Sequence, residues 1–355
     1  MNNLAPYGWN EHTEAEWTAF KETDLKPGRV VADFGTSLKV AMPEHITAEL
    51  SGKLAHYSDR QGIPKVGDWV AVRVSDNGYS VIEACVARRG EIARKVTGKR
   101  TVKQVIAANV DIAFVLLALD NDFNVDRLRR FLYQLSINDI KPVIVLNKAD
   151  KTNDVDGYIS QLSDFDLPII PMIATEGKGI DVLLEHIKPG ATAILLGSSG
   201  VGKSTITNQL LGREVQKTQA VRESDDTGKH TTVHRELFVL KNGGLLIDTP
   251  GIRELQLWGT EEELKDNYED VAELVSQCKY TTCKHGDEEG CAIRFALQQG
   301  TLDRSRYEAY LKMQAELIAL HKRTIVKDRL ANAKSFRARK RQKRDEMIQA
   351  REDLY

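Results

Sequence analysis

Long apolar runs are missing from this chain: the longest, Ile112 to Leu119, is far too short to cross a bilayer. The segment from Met1 to Phe20 mixes Glu, Asn and Thr with Trp and has no basic start followed by an apolar stretch, so no secretory signal is read there. Cysteine is scarce, with four in 355 residues, and three of them crowd together beside His285. In a reducing compartment that pattern points to metal ligation before disulfides. No internal repeat is present, which excludes a repeat architecture. Net charge is also lacking, formally −1, so the surface as a whole is no polyanion trap. A cytoplasmic location without membrane contact is expected.

What remains is the composition of an ordinary globular protein, 41% hydrophobic and 28% charged. The length exceeds one typical core, and three domains are expected at 1–104, 105–260 and 261–355. Charge is segregated along the chain. Residues Lys322 to Arg344 hold eleven Lys/Arg against one acid, Asp328, which leaves the remainder acidic. Such a tract suits a polyanion, and a solvated helix face gives the same pattern.

Between Lys26 and Arg94, short alternating stretches such as Asp68 to Val74 and Tyr79 to Cys85 are separated by Asn-Gly, Pro and Gly turn signals. Five or so strands in about seventy residues fit an OB-fold, and a plain structural barrel fits equally. From Asn109 the rhythm changes to apolar strands alternating with amphipathic helices. Strands are expected at Ile112–Leu119, Pro142–Leu146, Pro168–Ile173 and Ala193–Leu196, with helices at Val125–Ser136, Val155–Asp164 and Ile180–Ile187. That alternation predicts a doubly wound α/β sheet. Lys241-Asn-Gly-Gly244 between two further apolar runs predicts a hairpin, and so one antiparallel strand beside the parallel ones.

Gly197-Ser198-Ser199-Gly200-Val201-Gly202-Lys203-Ser204-Thr205 matches the phosphate-loop pattern G-x-x-x-x-G-K-[ST], entered by an apolar strand and left by a helix. Its glycines let backbone N–H groups turn inward around phosphates, where a Cβ would crowd the ligand. Lys203 is expected to bridge the β- and γ-phosphates and Ser204 to ligate Mg²⁺. A Gly-rich turn without ligand gives no reason for Lys-Ser at the helix start.

Asn147-Lys148-Ala149-Asp150 follows a strand at its carboxyl end, where α/β sheets bind ligands. An Asp there accepts the N1–H and N2–H₂ donors of guanine, whereas adenine would leave the carboxylate unpaired. Asp248-Thr-Pro-Gly251 is expected to hold Mg²⁺ through water and to offer the Gly251 N–H to a γ-phosphate. Gly228-Lys-His-Thr-Thr232 lies where a switch threonine would close on the metal, Thr231 or Thr232. In ordinary GTPases the phosphate loop comes first and N-K-x-D last; here N-K-x-D comes first, followed by Ile173-Ala-Thr175 and only then the phosphate loop. The order is that of a circular permutation, which leaves the loops of one sheet edge in place.

These motifs, in this order, resemble those of the RsgA (YjeQ/YloQ) family, the ribosome small-subunit-dependent GTPase A of bacteria. The resemblance covers nearly the whole chain and implies the fold: a circularly permuted P-loop GTPase domain of α/β class, flanked by an N-terminal OB-fold β-barrel and a C-terminal helical zinc-binding domain. It implies GTP hydrolysis coupled to late maturation of the 30S subunit and stimulated by it. The implied partners are the 30S subunit with its 16S rRNA and GTP or GDP, with the chain a monomer. Two positions depart from the family pattern: Ile173 stands where Ser is usual and Lys229 where Arg is usual. The first touches only a hydroxyl, since the guanine O6 contact in that loop is commonly a backbone N–H, here that of Ala174.

Cys278, Cys283, His285 and Cys291 offer three thiolates and an imidazole, the donor set of one closed structural Zn²⁺. Cys85, alone in an expected strand, reads as packing. After Asp-x-x-Gly, where many GTPases have Gln, this chain has Ile252, which can neither donate nor accept, so slow intrinsic turnover is expected. His230 is the candidate to orient the attacking water, and an exposed loop histidine is the competing reading. Arg88, Arg89, Arg94, Lys95, Lys99 and Arg100 are the barrel-side candidates for RNA contact.

Overall fold

The computed structural model describes residues 2–57, 62–75, 80–95, 103–214, 235–249 and 257–323. They fall into two compact units, the first drawn from residues up to 256 and the second essentially from residue 257 onward.

The first unit opens with a 3₁₀ turn and helix α1 (Glu11–Trp17), whose N-cap Asn10 accepts from the Thr13 N–H. Five strands follow: β1 (Lys26–Asp33), β2 (Leu38–Ala41), β3 (Ile46–Leu50), β4 (Trp69–Arg73) and β5 (Ser80–Cys85), with the short helix α2 (Gly52–Tyr57) between β3 and β4. Their order β1-β2-β3-β5-β4, closed by a β1–β4 pairing and with β3 parallel to β5, is the expected OB-type barrel. Strands β6 (Glu91–Lys95) and β7 (Lys103–Ala108) form a separate antiparallel pair that the sequence reading did not anticipate.

Next come β8 (Ile112–Ala118), α3 (Val125–Ser136), β9 (Lys141–Asn147), α4 (Val155–Ser160), β10 (Ile169–Pro171), α5 (Ile180–Glu185), β11 (Thr192–Leu196), α6 (Lys203–Leu211), β12 (Arg235–Val239) and β13 (Leu245–Asp248). The strands lie in the order β10-β9-β8-β11-β13-β12; the first five are parallel and β12 is antiparallel to β13. Every residue of β8 is buried, because alternate side chains enter different cores. Ala113, Val115 and Leu117 join one core with Leu128, Phe131 and Leu135 of α3. Phe114, Leu116 and Ala118 join the other with Leu183 of α5 and Ile206 and Leu210 of α6. Burial on both faces explains an uninterrupted apolar run.

Helix α4 stops at Ser160, short of the expected Asp164. The hydroxyls of Ser160 and Ser163 donate to the carbonyls of Asp156 and Ser160, offering the backbone an alternative to helix, and a 3₁₀ turn at Ser163–Phe165 follows. Helix α5 ends at Glu185, where the Asn242 amide from the hairpin turn donates to the Leu184 and Ile187 carbonyls.

The sheet continues into the barrel, because β12 pairs with β1 at Glu236↔Ala32 and Arg235↔Asp33. Arg29 of β1 sits at this junction, 2% exposed. Its guanidinium donates to the carbonyls of Tyr7, Gly67 (3.1 Å) and Asn109 (3.2 Å) and to Thr192 Oγ1 (2.8 Å) at the start of β11, and lies over the Trp69 ring. Gly67 has φ +93°, and a Cβ there would stand 2.1 Å from the Ala108 carbonyl oxygen, so the chain carries glycine where barrel and sheet meet. Burial pushes the Arg29 pKa down to about 10, against the pull of Asp111 and Asp68.

Arg88, read as an RNA contact from its position in a basic stretch, is a structural residue instead. It makes a two-pronged ion pair with the fully buried Asp68 (2.8 Å for Nε and Nη2) and donates to the Ile63 carbonyl. Burial works against its charge, but the Asp68 carboxylate prevails and moves its pKa up. Arg89 is exposed, and Lys99 and Arg100 lie outside the described residues.

The second unit contains α7 (Glu261–Asn267), α8 (Glu269–Ser276), α9 (Ala292–Gln299) and a helical stretch at 304–323. Thr260 and Glu263 form a reciprocal capping box at the start of α7. Most of the basic tract lies outside the described residues. No helix among the described residues is long and apolar enough to cross a membrane.

Replacing Arg29 by Met keeps a similar volume and takes the guanidinium from the Tyr7 and Asn109 carbonyls and the Thr192 hydroxyl at once, while the Gly67 carbonyl keeps the Asn109 side-chain amide. Arg29→Met is expected to lower unfolding free energy by about 3 to 5 kcal/mol in urea denaturation. A loss below about 1 kcal/mol would show that the guanidinium is not what joins barrel and sheet.

Candidate functional site

The loops that leave β8, β9, β10, β11 and β13 all start from carboxyl ends of parallel strands, so they gather at one edge of the sheet. The β11 loop is the Gly197–Thr205 segment. Gly197, Gly200 and Gly202 have φ of 151°, 75° and 106°, and α6 starts at Lys203 without a side-chain cap, leaving its first N–H groups to the loop. Val201 is buried and anchors the loop in the core beneath. The Lys203 ammonium folds back over the loop, donating to the carbonyls of Gly197 (2.7 Å) and Ser198 (2.5 Å).

Asn147 closes β9 and is 3% exposed. Its Nδ2 donates to the Val201 carbonyl at 2.7 Å, 54 residues away, and its Oδ1 accepts the Ala174 N–H at 3.1 Å. One side chain thus joins the base-reading segment, the β10 loop and the phosphate loop. A Cβ on Gly202 would stand 2.2 Å from Asn147 Nδ2, so the loop can approach this closely only as glycine. The Ala174 amide, expected to face a base, is engaged by Asn147 here. Lys148 adopts a left-handed backbone, φ 62°, and Ala149 N–H donates to the Met172 carbonyl. Asp150 is partly exposed beside Lys151, 3.3 Å away.

The β8 loop belongs to the same edge, and no motif marks it. Asp120 Oδ2 accepts the Lys148 ammonium at 2.7 Å. Asp122 accepts the Ser198 hydroxyl and pairs with Arg127 at 2.8 Å. Lys148 holds the Asp120 carboxyl below its ordinary range. Burial opposes charge on Asp122, but Arg127 and Ser198 outweigh it and its pKa is also lowered. An Asp-Asn-Asp run directly after a buried strand was the available signal.

Asp248 ends β13, at the same edge. His230, Thr231, Thr232 and Gly251 lie outside the described residues. Of the residues expected to hold Mg²⁺, Ser204 in the first turn of α6 and Asp248 at the end of β13 lie among the described residues.

In the second unit, Cys278, Cys283, His285 and Cys291 bring one ligand atom each to within 4.8 Å of one another. His285 Nδ1 is 3.6 Å from Cys278 Sγ and 3.7 Å from Cys291 Sγ. Such spacings suit donors about 2.0 to 2.3 Å from one tetrahedral ion. Cys278 follows α8, Cys291 caps α9 by accepting the Arg294 N–H, and His285 takes a left-handed backbone with its ring against Tyr307. Cys85 is different: its thiol donates to the Gly62 carbonyl, and burial pushes its pKa up to about 12, so it packs.

The family model described as RsgA GTPase matches residues 85–258. A relative from Opitutus terrae, named small ribosomal subunit biogenesis GTPase RsgA, is 39% identical over 327 residues, covering 88% of this chain and 89% of its own. The crystal structure of YjeQ from Thermotoga maritima matches with a TM-score of 0.60 and 27% identity, covering 83% of this chain and 99% of that one. The crystal structure of YloQ, a circularly permuted GTPase, has the same fold, with a TM-score of 0.59 at 22% identity over 84% of this chain and 97% of that one. Permuted motifs, OB-type barrel, Cys/His cluster and relatives agree: the chain belongs to the RsgA GTPase family and is a GTP hydrolase.

Proposed function

We propose that the chain is a GTPase of small ribosomal subunit biogenesis, that it binds the 30S subunit through 16S rRNA, and that the subunit stimulates hydrolysis. The observation that carries the nucleotide reading is the Asn147 side chain, bonded to both the phosphate loop and the β10 loop. The subunit reading rests on relatives named for small ribosomal subunit biogenesis. It also rests on a chain that adds a barrel and a Cys/His unit to the GTPase sheet. The division into 1–104, 105–260 and 261–355 is part of the same proposal, as are a cytoplasmic location and a monomeric state.

Within this reading Asp150 accepts the two guanine donors, and Asn147 ties the β10 loop at Ala174 to the phosphate loop at Val201. Contact of the Ala174 N–H with the base requires it to exchange its Asn147 partner. Gly197 to Thr205 surround the phosphates with backbone N–H groups, and Lys203 leaves the Gly197 and Ser198 carbonyls for the β- and γ-phosphate oxygens. Positioning and charge neutralisation are most of what phosphoryl transfer asks of a protein. Ser204 and Asp248 would hold Mg²⁺ together with Thr231 or Thr232, and bound Mg²⁺ supplies neutralisation of the phosphate oxygens. Gly251 offers its N–H to the γ-phosphate and His230 orients water. Cys278, Cys283, His285 and Cys291 would together hold one Zn²⁺ and leave no place for a catalytic water, so its role would be structural. Metabolite kinase chemistry on ATP is disfavoured by Asp150, since adenine leaves its carboxylate unpaired.

GTP hydrolysis by the full chain, measured with purified small subunits, large subunits and neither, tests the function. Small subunits alone are expected to raise the rate by about tenfold or more, with Lys203→Ala abolishing nucleotide binding or turnover in every arm. Equal rates in all three arms would overturn the subunit reading, and normal activity of Lys203→Ala would overturn the site. For the metal, elemental analysis is expected to find one zinc per chain, and its removal by a strong chelator to abolish the cooperative melting of the second unit. An unchanged melt after complete zinc removal would exclude a structural ion.

A further inference from the structure

The β8 loop carries two carboxylates that belong to none of the nucleotide-binding motifs, yet each holds a residue of a different one. Asp120 fixes the Lys148 ammonium of the base-reading segment at 2.7 Å. Asp122 fixes the Ser198 hydroxyl of the phosphate loop. The two are joined to each other, because the Asp122 N–H donates to Asp120 Oδ1 at 2.9 Å. Arg127, at the start of α3, donates to both Asp122 carboxylate oxygens and to its carbonyl, and its own N–H is capped by Asn124. That clamp fixes the rotamer of Asp122 against a rigid helix.

We infer that Asp120 and Asp122 are positioning residues for guanine-nucleotide binding, a second brace between the base-reading and phosphate-binding loops beside Asn147. The inference rests on the nucleotide reading above. The physical argument concerns long side chains. A lysine with its ammonium free samples many rotamers, and immobilising it on a ligand costs conformational entropy. Asp120 meets that cost before the ligand arrives, holding the Lys148 stem where a base would lie along it. Lys148 also has a left-handed backbone, which aims the stem and leaves only the tip to be fixed. Asp122 does the same for the phosphate loop, whose glycines otherwise leave it free to open. The carboxylates face anionic phosphates without prohibitive repulsion because each is already paired, Asp120 with Lys148 and Asp122 with Arg127.

Double-mutant cycles on the full chain test this, with the dissociation constant for GDP as readout. Asp120→Ala and Lys148→Ala form one cycle, Asp122→Ala and Ser198→Ala the other. Each aspartate substitution is expected to weaken GDP binding about five- to tenfold, each double variant to be no weaker than its weaker single, and Asp120→Glu to recover most of the loss. If an alanine variant does not fold, Asp120→Asn and Asp122→Asn replace it in the same cycle. Additive doubles, or aspartate variants that melt earlier yet bind GDP as the unsubstituted chain does, would overturn the inference. Loss of GDP binding in Lys203→Ala reports separately on the nucleotide site, so its failure and that of the brace are distinguishable.

Discussion

The hydrogen bonds of Asn147 set the distance between two segments that the chain delivers separately. Strands β9 and β11 are not neighbours in the sheet, since β8 lies between them, and their loops belong to different motifs. Nothing in the connectivity forces those loops to keep the span of one nucleotide. A buried amide that donates to one and accepts from another does so, because leaving either side unpaired in the core costs about 1 to 3 kcal/mol. Gly202 is glycine for the same reason, as a side chain there would occupy the Asn147 amide's position. Permutation therefore changes the order of the motifs and leaves the frame that relates them.

The same logic extends outward to the barrel. Arg29 binds the chain ahead of the barrel, the Gly67 turn, the Asn109 linker and the first residue of β11, whose far end is the phosphate loop. Its four acceptors are carbonyls and a hydroxyl, with no carboxylate directly bonded, so the charge is spread over backbone from four segments. A buried cation of this kind fixes the arrangement of the segments it bonds, because removing it leaves several groups unpaired together. Barrel and nucleotide edge are in this way parts of one packed body, with β1 passing from β4 to β12 along the same edge.

Much of this was legible in the sequence, wherever a local pattern has a local cause. The all-buried β8 read as a strand because its apolar run is unbroken, α3 because its apolar positions repeat at helical spacing, and the hairpin because Asn242-Gly243-Gly244 needs a turn. The barrel read from alternation, and the Cys/His cluster from donor types. What escaped depends on partners far apart in the chain. Arg29 looks like any charged residue in a strand until Thr192, 163 residues on, is beside it. Arg88 sits in a basic stretch and reads as surface, but the buried Asp68 claims it. Asp120 and Asp122 read as a polar loop, since Lys148 and Ser198 lie 28 and 76 residues away. Helix α4 was over-extended because serine hydroxyls compete for its carbonyls in a way that periodicity does not register.

The central claim, that one buried amide holds the base-reading and phosphate-binding segments in a common frame, is tested most directly by residue-resolved amide hydrogen exchange. The comparison is between the unsubstituted chain and Asn147→Ala without nucleotide. The account predicts that the substitution removes protection at Ala174, whose N–H donates to Asn147, and in the same experiment at Ile206, whose N–H donates to the Gly202 carbonyl of the phosphate loop, while β8 and β9 stay protected. Loss at Ala174 alone, with the phosphate loop unaffected, would contradict it.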